Sequence, residues 1–332
     1  LRSILSPRDI TAAKFIMIVD PKFFISCDWG TTNFRLRLVH HKSLDIILRV
    51  EDDHGIRKHN QTYNNCRSSN REEFFWQHIR QHIDHFPIEH QQHPLVISGM
   101  ASSNIGMKDL PYADYPIKAD GSSLIYHSLR RRLSSSIVLV SGVKSDHCMM
   151  RGEEVQAIGL SHVLHNNQTC VLILPGTHSK HITYCDGQYT SAKSYMTGER
   201  FDLMSTCSIL SDSVTKGEWY HKDFSRGVID GANHQVSDKL FSIRASHILH
   251  NINTDRNYCY LSGLLIGEEL SNLLDEEFNI YLAAGASLSV PYQQALRAMN
   301  FSADQIHIIN PSDVGSALIR GHQKILKLHA NS

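Results

Sequence analysis

A six-residue segment, Asp28-Trp29-Gly30-Thr31-Thr32-Asn33, does most to limit what this chain can become. It joins two strand-like runs, residues 23–26 and 34–39. In the second run Phe34, Leu36 and Leu38 alternate with Arg35 and Arg37, the period of a strand with one buried face. An acidic residue therefore ends one strand, and a tight turn with a glycine and two hydroxyls leads into the next. Such a turn suits a nucleotide phosphate tail. Gly30 lets the backbone come close, the turn N–H groups and the hydroxyls of Thr31 and Thr32 meet the oxygens, and Asp28 can anchor Mg²⁺ through water. Acidic-Gly-Thr turns also close ordinary hairpins, so the rest of the chain must decide.

A length of 332 residues is enough for two domains, each with its own core. Basic and acidic residues balance at 33 each, which leaves no global field to attract nucleic acid or an anionic membrane. The run Arg130–Arg132 is a local exception, read as a helix C-terminal cap. No apolar run approaches the length of a membrane span. The seven cysteines are scattered and form no C-x-x-C pair, as expected of a reduced, cytoplasmic chain. Residues 1–22 form a poor signal peptide and read as a disordered or loosely packed leader. His78, His82 and His85 have helical spacing. A pair four apart can bind a metal, but no nearby carboxylate or thiol completes a site in the sequence, and a polar helix face accounts for the same spacing.

Residues 52–70, rich in Asn and His, read as a loop or hairpin insertion, followed by a helix over 71–86. Strands are expected at 95–98, 137–140 and 169–174, and a helix over 153–164. The second half repeats the style. A hairpin turns at Asp186-Gly187, a long helical region begins near Gly198, and a helix covers 259–274. A strand at 280–283, a helix over 290–299, a strand at 306–309 and a closing helix over 313–328 complete the chain. Two blocks that each open with strands and a phosphate-type turn suggest two α/β domains around a cleft.

The second such turn, Pro175-Gly176-Thr177-His178-Ser179-Lys180, follows a buried strand. A third, Gly285-Ala286-Ser287, opens a helix, where small residues let adenine and ribose lie against the backbone; a plain strand–turn–helix connection has the same form. The order of these parts resembles the sugar-kinase branch of the actin-like ATPases. More closely, the chain resembles the 2-dehydro-3-deoxygalactonokinase family from residue 24 to the C-terminus. The likeness rests on DWGTTN at 28–33, GM with SNIG at 99–106, Pro111-Tyr112, MRGEE at 150–154 and PGTHSK at 175–180. It continues in MTGE at 196–199, RASH at 244–247, LSGLLIGE at 261–268 and AGASL at 284–288. Met107 stands where an aromatic is expected and His181 where a tryptophan is expected.

The resemblance implies a two-domain actin-like ATPase (ribonuclease H-like) fold with an interdomain nucleotide cleft. The expected division is residues 23–165, 166–311 and a closing helix at 312–332 that packs back on the first domain. It also implies ATP- and Mg²⁺-dependent phosphorylation of the 6-hydroxyl of 2-dehydro-3-deoxy-D-galactonate, in galactonate degradation. A kinase for a related sugar acid or sugar, and a non-catalytic sugar-acid sensor, are the alternatives. A homodimer is expected on family grounds alone.

Phosphoryl transfer asks the protein for alignment and charge neutralisation. Asp28 is expected to hold Mg²⁺ through water. Gly30, Thr31 and Thr32 would face the phosphates from one side and Gly176, Thr177 and His178 from the other, with Lys180 a lesser contributor. Gly285, Ala286 and Ser287 would line the adenosine. Glycerol kinase-like enzymes place a Gly-Asp with the catalytic base where this chain has Gly152-Glu153. By that analogy Glu153 is the first choice of base, Glu154 the second and Asp146 the third; both glutamates also suit a helix N-terminus. Substrate contacts are expected from Ser102, Ser103, Asn104, Lys108, Arg151 and Glu199. Arg151 can fork onto a carboxylate or form an interdomain salt bridge, and Glu199 can equally start a helix.

Overall fold

Two six-stranded sheets organise the chain, and each is assembled in the same way. The structure, a computed structural model, describes residues 22–66, 70–129, 136–165, 168–274 and 278–330. The expected leader and the run Arg130–Arg132 lie outside the described residues, apart from Lys22.

In the first sheet, β1 (Phe23–Trp29), β2 (Phe34–His40) and β3 (Ile46–Asp52) form an antiparallel meander. β4 (Leu95–Gly99) then pairs parallel with β1. Two short strands follow, β5 (Ala113–Asp114) and β6 (Ile117–Lys118), before β7 (Tyr126–Leu129) and β8 (Ile137–Val140). β8 runs parallel to β4, giving the order β3-β2-β1-β4-β8-β7. β5 joins β9 (Val143–Lys144) and β10 (Met149–Met150) in a small separate sheet.

The second sheet repeats the plan. β11 (Cys170–Leu174), β12 (Ser179–Cys185) and β13 (Gln188–Tyr195) form the meander, and β14 (Asn279–Leu282) and β15 (Ile306–Ile308) add in parallel beyond β11. β6 pairs with β13 and closes the far edge of this sheet. Two meanders, each extended by parallel strands, form the duplicated architecture of the actin-like ATPases.

Nine helices among the described residues cover these sheets. They are α1 (Ile56–Cys66), α2 (Arg71–Ile83), α3 (Glu153–Leu160), α4 (Thr197–Thr206) and α5 (His221–Ala232), then α6 (Val236–His250), α7 (Thr254–Leu270), α8 (Ala286–Ala298) and α9 (Pro311–Ala330). None is long and apolar enough to cross a membrane.

Strand alternation sorts the cores. Ile25, Cys27, Phe34, Leu36 and Leu38 pack outward with Phe75 and Ile79 of α2. Val171, Ile173, Ile280 and Leu282 pack outward with Phe224 of α5 and Leu296 of α8. The opposite faces share one interior: Val96 and Val138 meet Leu172 and Leu174 through Val155 and Ile158 of α3 and Ile319 and Ile325 of α9. Both sheets are thus covered on both faces, as parallel strands require.

α3 and α9 cross with their backbones almost touching. A Cβ at Gly159 would collide with the Ala317 carbonyl, and one at Gly321 with the Val155 carbonyl. α9 is also fixed to the first sheet by the buried His322. Its ring lies 2.8 Å from Ser26 Oγ and 2.9 Å from Ser98 Oγ, joining β1 and β4. Burial holds this imidazole down to about 3, so it stays neutral.

One local expectation fails. The described residues of the 52–70 stretch are not a loop. They hold the helix α1, whose start is fixed by tertiary bonds, since the N–H groups of Gly55, Ile56 and Arg57 donate to the carbonyls of Thr32, Gly30 and Thr31. Ile56 and His59 are buried, so docking overrides a poor intrinsic pattern. The strand β3 has no strong sequence signal because it is an edge strand with largely exposed side chains.

Candidate active site

Parallel strands deliver their C-terminal ends to one edge of a sheet, and binding loops gather there. Asp28 and Trp29 end β1 beside Ser98 and Gly99 at the end of β4. In the second sheet β11 and β14 end side by side, tied by the Ala283 N–H to the Ile173 carbonyl at 2.9 Å. The turns at 175–178 and 285–287 are therefore neighbours.

The first turn is held by the Gly30 N–H donating to the Asn33 carbonyl at 2.9 Å and by the start of α1. Arg35, projecting from the next strand, pins Asp28 Oδ2 at 3.1 Å. The other oxygen of Asp28 is turned toward Gly99, 3.6 Å from where a Cβ there would lie. Gly99 must be glycine: its φ is +84°, and a Cβ would press on the Trp29 carbonyl at 2.8 Å. Gly152, just before α3, has a φ of +110°, and a Cβ on it would lie 3.6 Å from Gly99 Cα.

From Gly152 the chain enters α3 with Glu153 and Glu154, and the two carboxylates diverge. Glu154 is 1% exposed, and both its oxygens accept the Gly152 N–H at 2.8 Å. Burial, with the Glu153 charge adding to it, pushes its pKa up to about 8. It is spent on its own helix start. Glu153 instead stays partly open and reaches across to the second sheet, with Oε1 3.5 Å from Nζ of the buried Lys180. Lys180 Nζ in turn donates to the His178 carbonyl at 3.3 Å. A continuous line thus runs from Asp28 through Gly99, Gly152 and Glu153 to the second phosphate turn.

The second turn rests on α4. His178 Nε2 lies 2.6 Å from Glu199 Oε2, and the Glu199 N–H donates to the Thr177 carbonyl at 3.0 Å. A Cβ on Gly198 would come 2.5 Å from the Gly176 carbonyl. Below the turn, Glu269 of α7 is buried and accepts from Ser179 Oγ at 2.6 Å, His181 Nε2 at 2.9 Å and the Tyr292 hydroxyl at 2.8 Å. Burial alone would raise its pKa, but the hydrogen bond and charge of His181, with hydrogen bonds from Ser179 and Thr197, hold it below the ordinary value. A cavity of about 310 Å³ lined in part by Tyr195, Thr197, His234 and Glu268 adjoins this cluster.

Gly30, Gly176 and Gly285 share a property. None has the positive φ that demands glycine, and a Cβ on any of them would meet the protein no closer than 3.5 Å. Neither packing nor backbone conformation requires glycine there. Gly315, in the first turn of α9, shares the property and was not singled out by the sequence. Thr32, Thr177, His178, Ala286 and Ser287 are exposed, and Thr31 is partly so.

The proposed sugar-acid residues are less uniform. Arg151 spends its fork on the protein. Nη1 donates to the Ser102 carbonyl at 2.5 Å and its hydroxyl at 2.7 Å, Nη2 donates to the Leu110 carbonyl at 3.0 Å, and Tyr112 stacks on the guanidinium. It holds the 102–110 loop in place. Ser102 and Ser103 are buried, with Ser103 Oγ donating to the Met100 carbonyl at 2.7 Å. Asn104 is exposed, and Lys108 lies 3.0 Å from His127 Nε2. Asp146 stands exposed at the tip between β9 and β10. Sequence reasoning missed Arg35 and Glu269. The outward register of Arg35, one strand over from Asp28, was the available signal. Glu269 had none, because its partners come from three distant segments.

A family model described as 2-keto-3-deoxy-galactonokinase matches residues 28–317. The chain belongs to this family. The 2-dehydro-3-deoxygalactonokinase of Escherichia coli K12 is 32% identical over 217 residues, covering 62% of this chain and 71% of that protein. A probable 2-dehydro-3-deoxygalactonokinase of Rhizobium meliloti is 27% identical over 221 residues, covering 63% and 72%. A crystal structure described as a putative 2-dehydro-3-deoxygalactonokinase from Sinorhizobium meliloti superposes with a TM-score of 0.73 at 23% identity, over 91% of this chain and 96% of that one. The galactonokinase family match spans all three glycine turns and both glutamates of α3.

Glu154 gives a pH prediction. Its folded pKa lies above the ordinary 4.5. Its favourable contribution is therefore complete below that value and is lost as pH rises through about 8. Glu154→Gln keeps an acceptor for the Gly152 N–H but cannot ionise. Urea unfolding across this range is expected to show the wild type losing up to about 1.4 kcal/mol per pH unit relative to the variant. Parallel curves for the two proteins would contradict this assignment.

Proposed function

We propose that this chain transfers the γ-phosphoryl group of ATP to the 6-hydroxyl of 2-dehydro-3-deoxy-D-galactonate, giving the 6-phosphate and ADP. Family membership across residues 28–317 supports the reaction class. The placement of Glu153 carries the mechanism: it stands between the end of β4 and Lys180 of the second turn. Glu153 accepts the hydroxyl proton as the new P–O bond forms. Lys180 and the turns at 30–32 and 176–178 meet the phosphate charge. Asp28, with one oxygen pinned by Arg35 and the other free toward Gly99, is suited to hold hydrated Mg²⁺. Bound Mg²⁺ would neutralise charge on the phosphate oxygens.

We take residues 23–165 and 166–311 as the two lobes, with 312–332 returning to the first. The His322 bonds to Ser26 and Ser98 support that return. The seating of β6 on β13 means the first lobe also lends an edge strand to the second.

The test is ADP release from the purified protein with ATP and Mg²⁺ over a panel of acceptors. The galactonate-derived acid is expected to exceed its gluconate-derived epimer in kcat/KM by about tenfold or more. Preference for the epimer or for a neutral sugar would replace the substrate, and binding without turnover would establish a sensor in place of a kinase.

A further inference from the structure

Behind the first phosphate turn, on the side away from Glu153, lies a second cluster of ligating groups. His78 and His82 stand one helical turn apart on α2, and Asp52, the last residue of β3, faces both. Asp52 Oδ2 is 3.0 Å from His82 Nε2 and 3.7 Å from His78 Nε2, and the three ligand atoms lie within 4.8 Å of one another. The carboxylate that the sequence did not offer thus comes from a distant strand. His85, the third histidine of the run, turns away to the Gln81 carbonyl.

We propose that Asp52, His78 and His82 form a zinc-type metal site that braces the back of the first phosphate turn. Tetrahedral Zn²⁺ with bonds near 2.1 Å sets its ligand atoms about 3.4 Å apart, and the two distances to Asp52 bracket that spacing. The rings are already held in place. His78 stacks on Trp29 with centroids 5.2 Å apart, and His82 stacks on Phe34 at 5.0 Å. His78 Nε2 is buried without a hydrogen-bond partner, so its lone pair has no competing use. Two imidazoles and one carboxylate select Zn²⁺ or Co²⁺ over Mg²⁺. Water can take the fourth position.

The site connects to the active centre through one side chain. Trp29 carries His78 on its face, donates its indole N–H to the His54 carbonyl at 2.9 Å, and sits between Asp28 and Gly30. The bound metal would fasten β3 and α2 together behind that tryptophan, as a structural ion with no part in the chemistry.

The experiment uses untagged protein stripped with chelator, titrated with Zn²⁺ by calorimetry and assayed for bound metal after gel filtration. One Zn²⁺ per chain with micromolar or tighter affinity is expected, with a rise in Tm on loading. His82→Gln and the near-isosteric Asp52→Asn are each expected to weaken binding at least about tenfold and abolish the rise in Tm. His93→Ala, which breaks the separate His90–His93 pair at 3.1 Å, should leave both unchanged. Co²⁺ in place of Zn²⁺ should give visible bands of four-coordinate intensity. Substoichiometric binding by the wild type, or stoichiometric binding that both substitutions leave intact, would overturn the proposal.

Discussion

Glu153→Gln is expected to lower kcat by about 10²–10⁴-fold, the range for losing a positioned general base. The loss should appear equally in kcat/KM, because a proton acceptor acts in the transition state and not in ground-state binding. Glu154→Gln is the matched control, one residue along the same helix. Its carboxyl is buried against the Gly152 N–H, so kcat should remain within about threefold of wild type. A pre-steady-state burst assay on both variants separates the chemical step from product release. If Glu154→Gln were the inactive one, the assignment of the base to Glu153 would fall.

Glu269→Ala is expected to cost about 3–5 kcal/mol of stability, the scale for deleting one partner of a buried ionic cluster. Three donors, on Ser179, His181 and Tyr292, would lose their acceptor at once. Glu269→Gln keeps an acceptor and should cost less, about 1–3 kcal/mol. The folded pKa of Glu269 is depressed. Its contribution is thus present above the ordinary 4.5 and is lost as pH falls through the lower folded value. The difference between wild type and Glu269→Gln should accordingly shrink in acid. Chemical denaturation at neutral and acidic pH measures both effects; a neutral-pH cost for Glu269→Ala below about 1 kcal/mol would contradict the cluster.

The elements that carry strong local periodicity were legible in the sequence. β2 announces itself through Phe34, Leu36 and Leu38, and the hairpin at Asp186-Gly187 through its turn residues, both with positive φ. What was not legible depended on partners far away in sequence. α1 forms because the N–H groups of Gly55, Ile56 and Arg57 at its start dock on the 30–32 turn, which no window of 52–70 can reveal. Arg151 looked free to grip a substrate, yet Ser102 and Leu110 take its donors. Glu199 looked like either a substrate contact or a helix start, and the structure seats it on His178. The LSGLLIGE stretch owes its glycines to packing, since Cβ atoms at Gly263 and Gly267 would strike the carbonyls of Phe224 and Val228.

The contact between Gly159 and Gly321 has a mechanical corollary. The main chains of α3 and α9 touch there, and Lys324 of α9 reaches across to the Ile158 carbonyl and the Ser161 hydroxyl. A side chain added at Gly159 or Gly321 would therefore have to force the two helices apart, and because Glu153 heads one of them, the carboxylate would shift relative to Lys180.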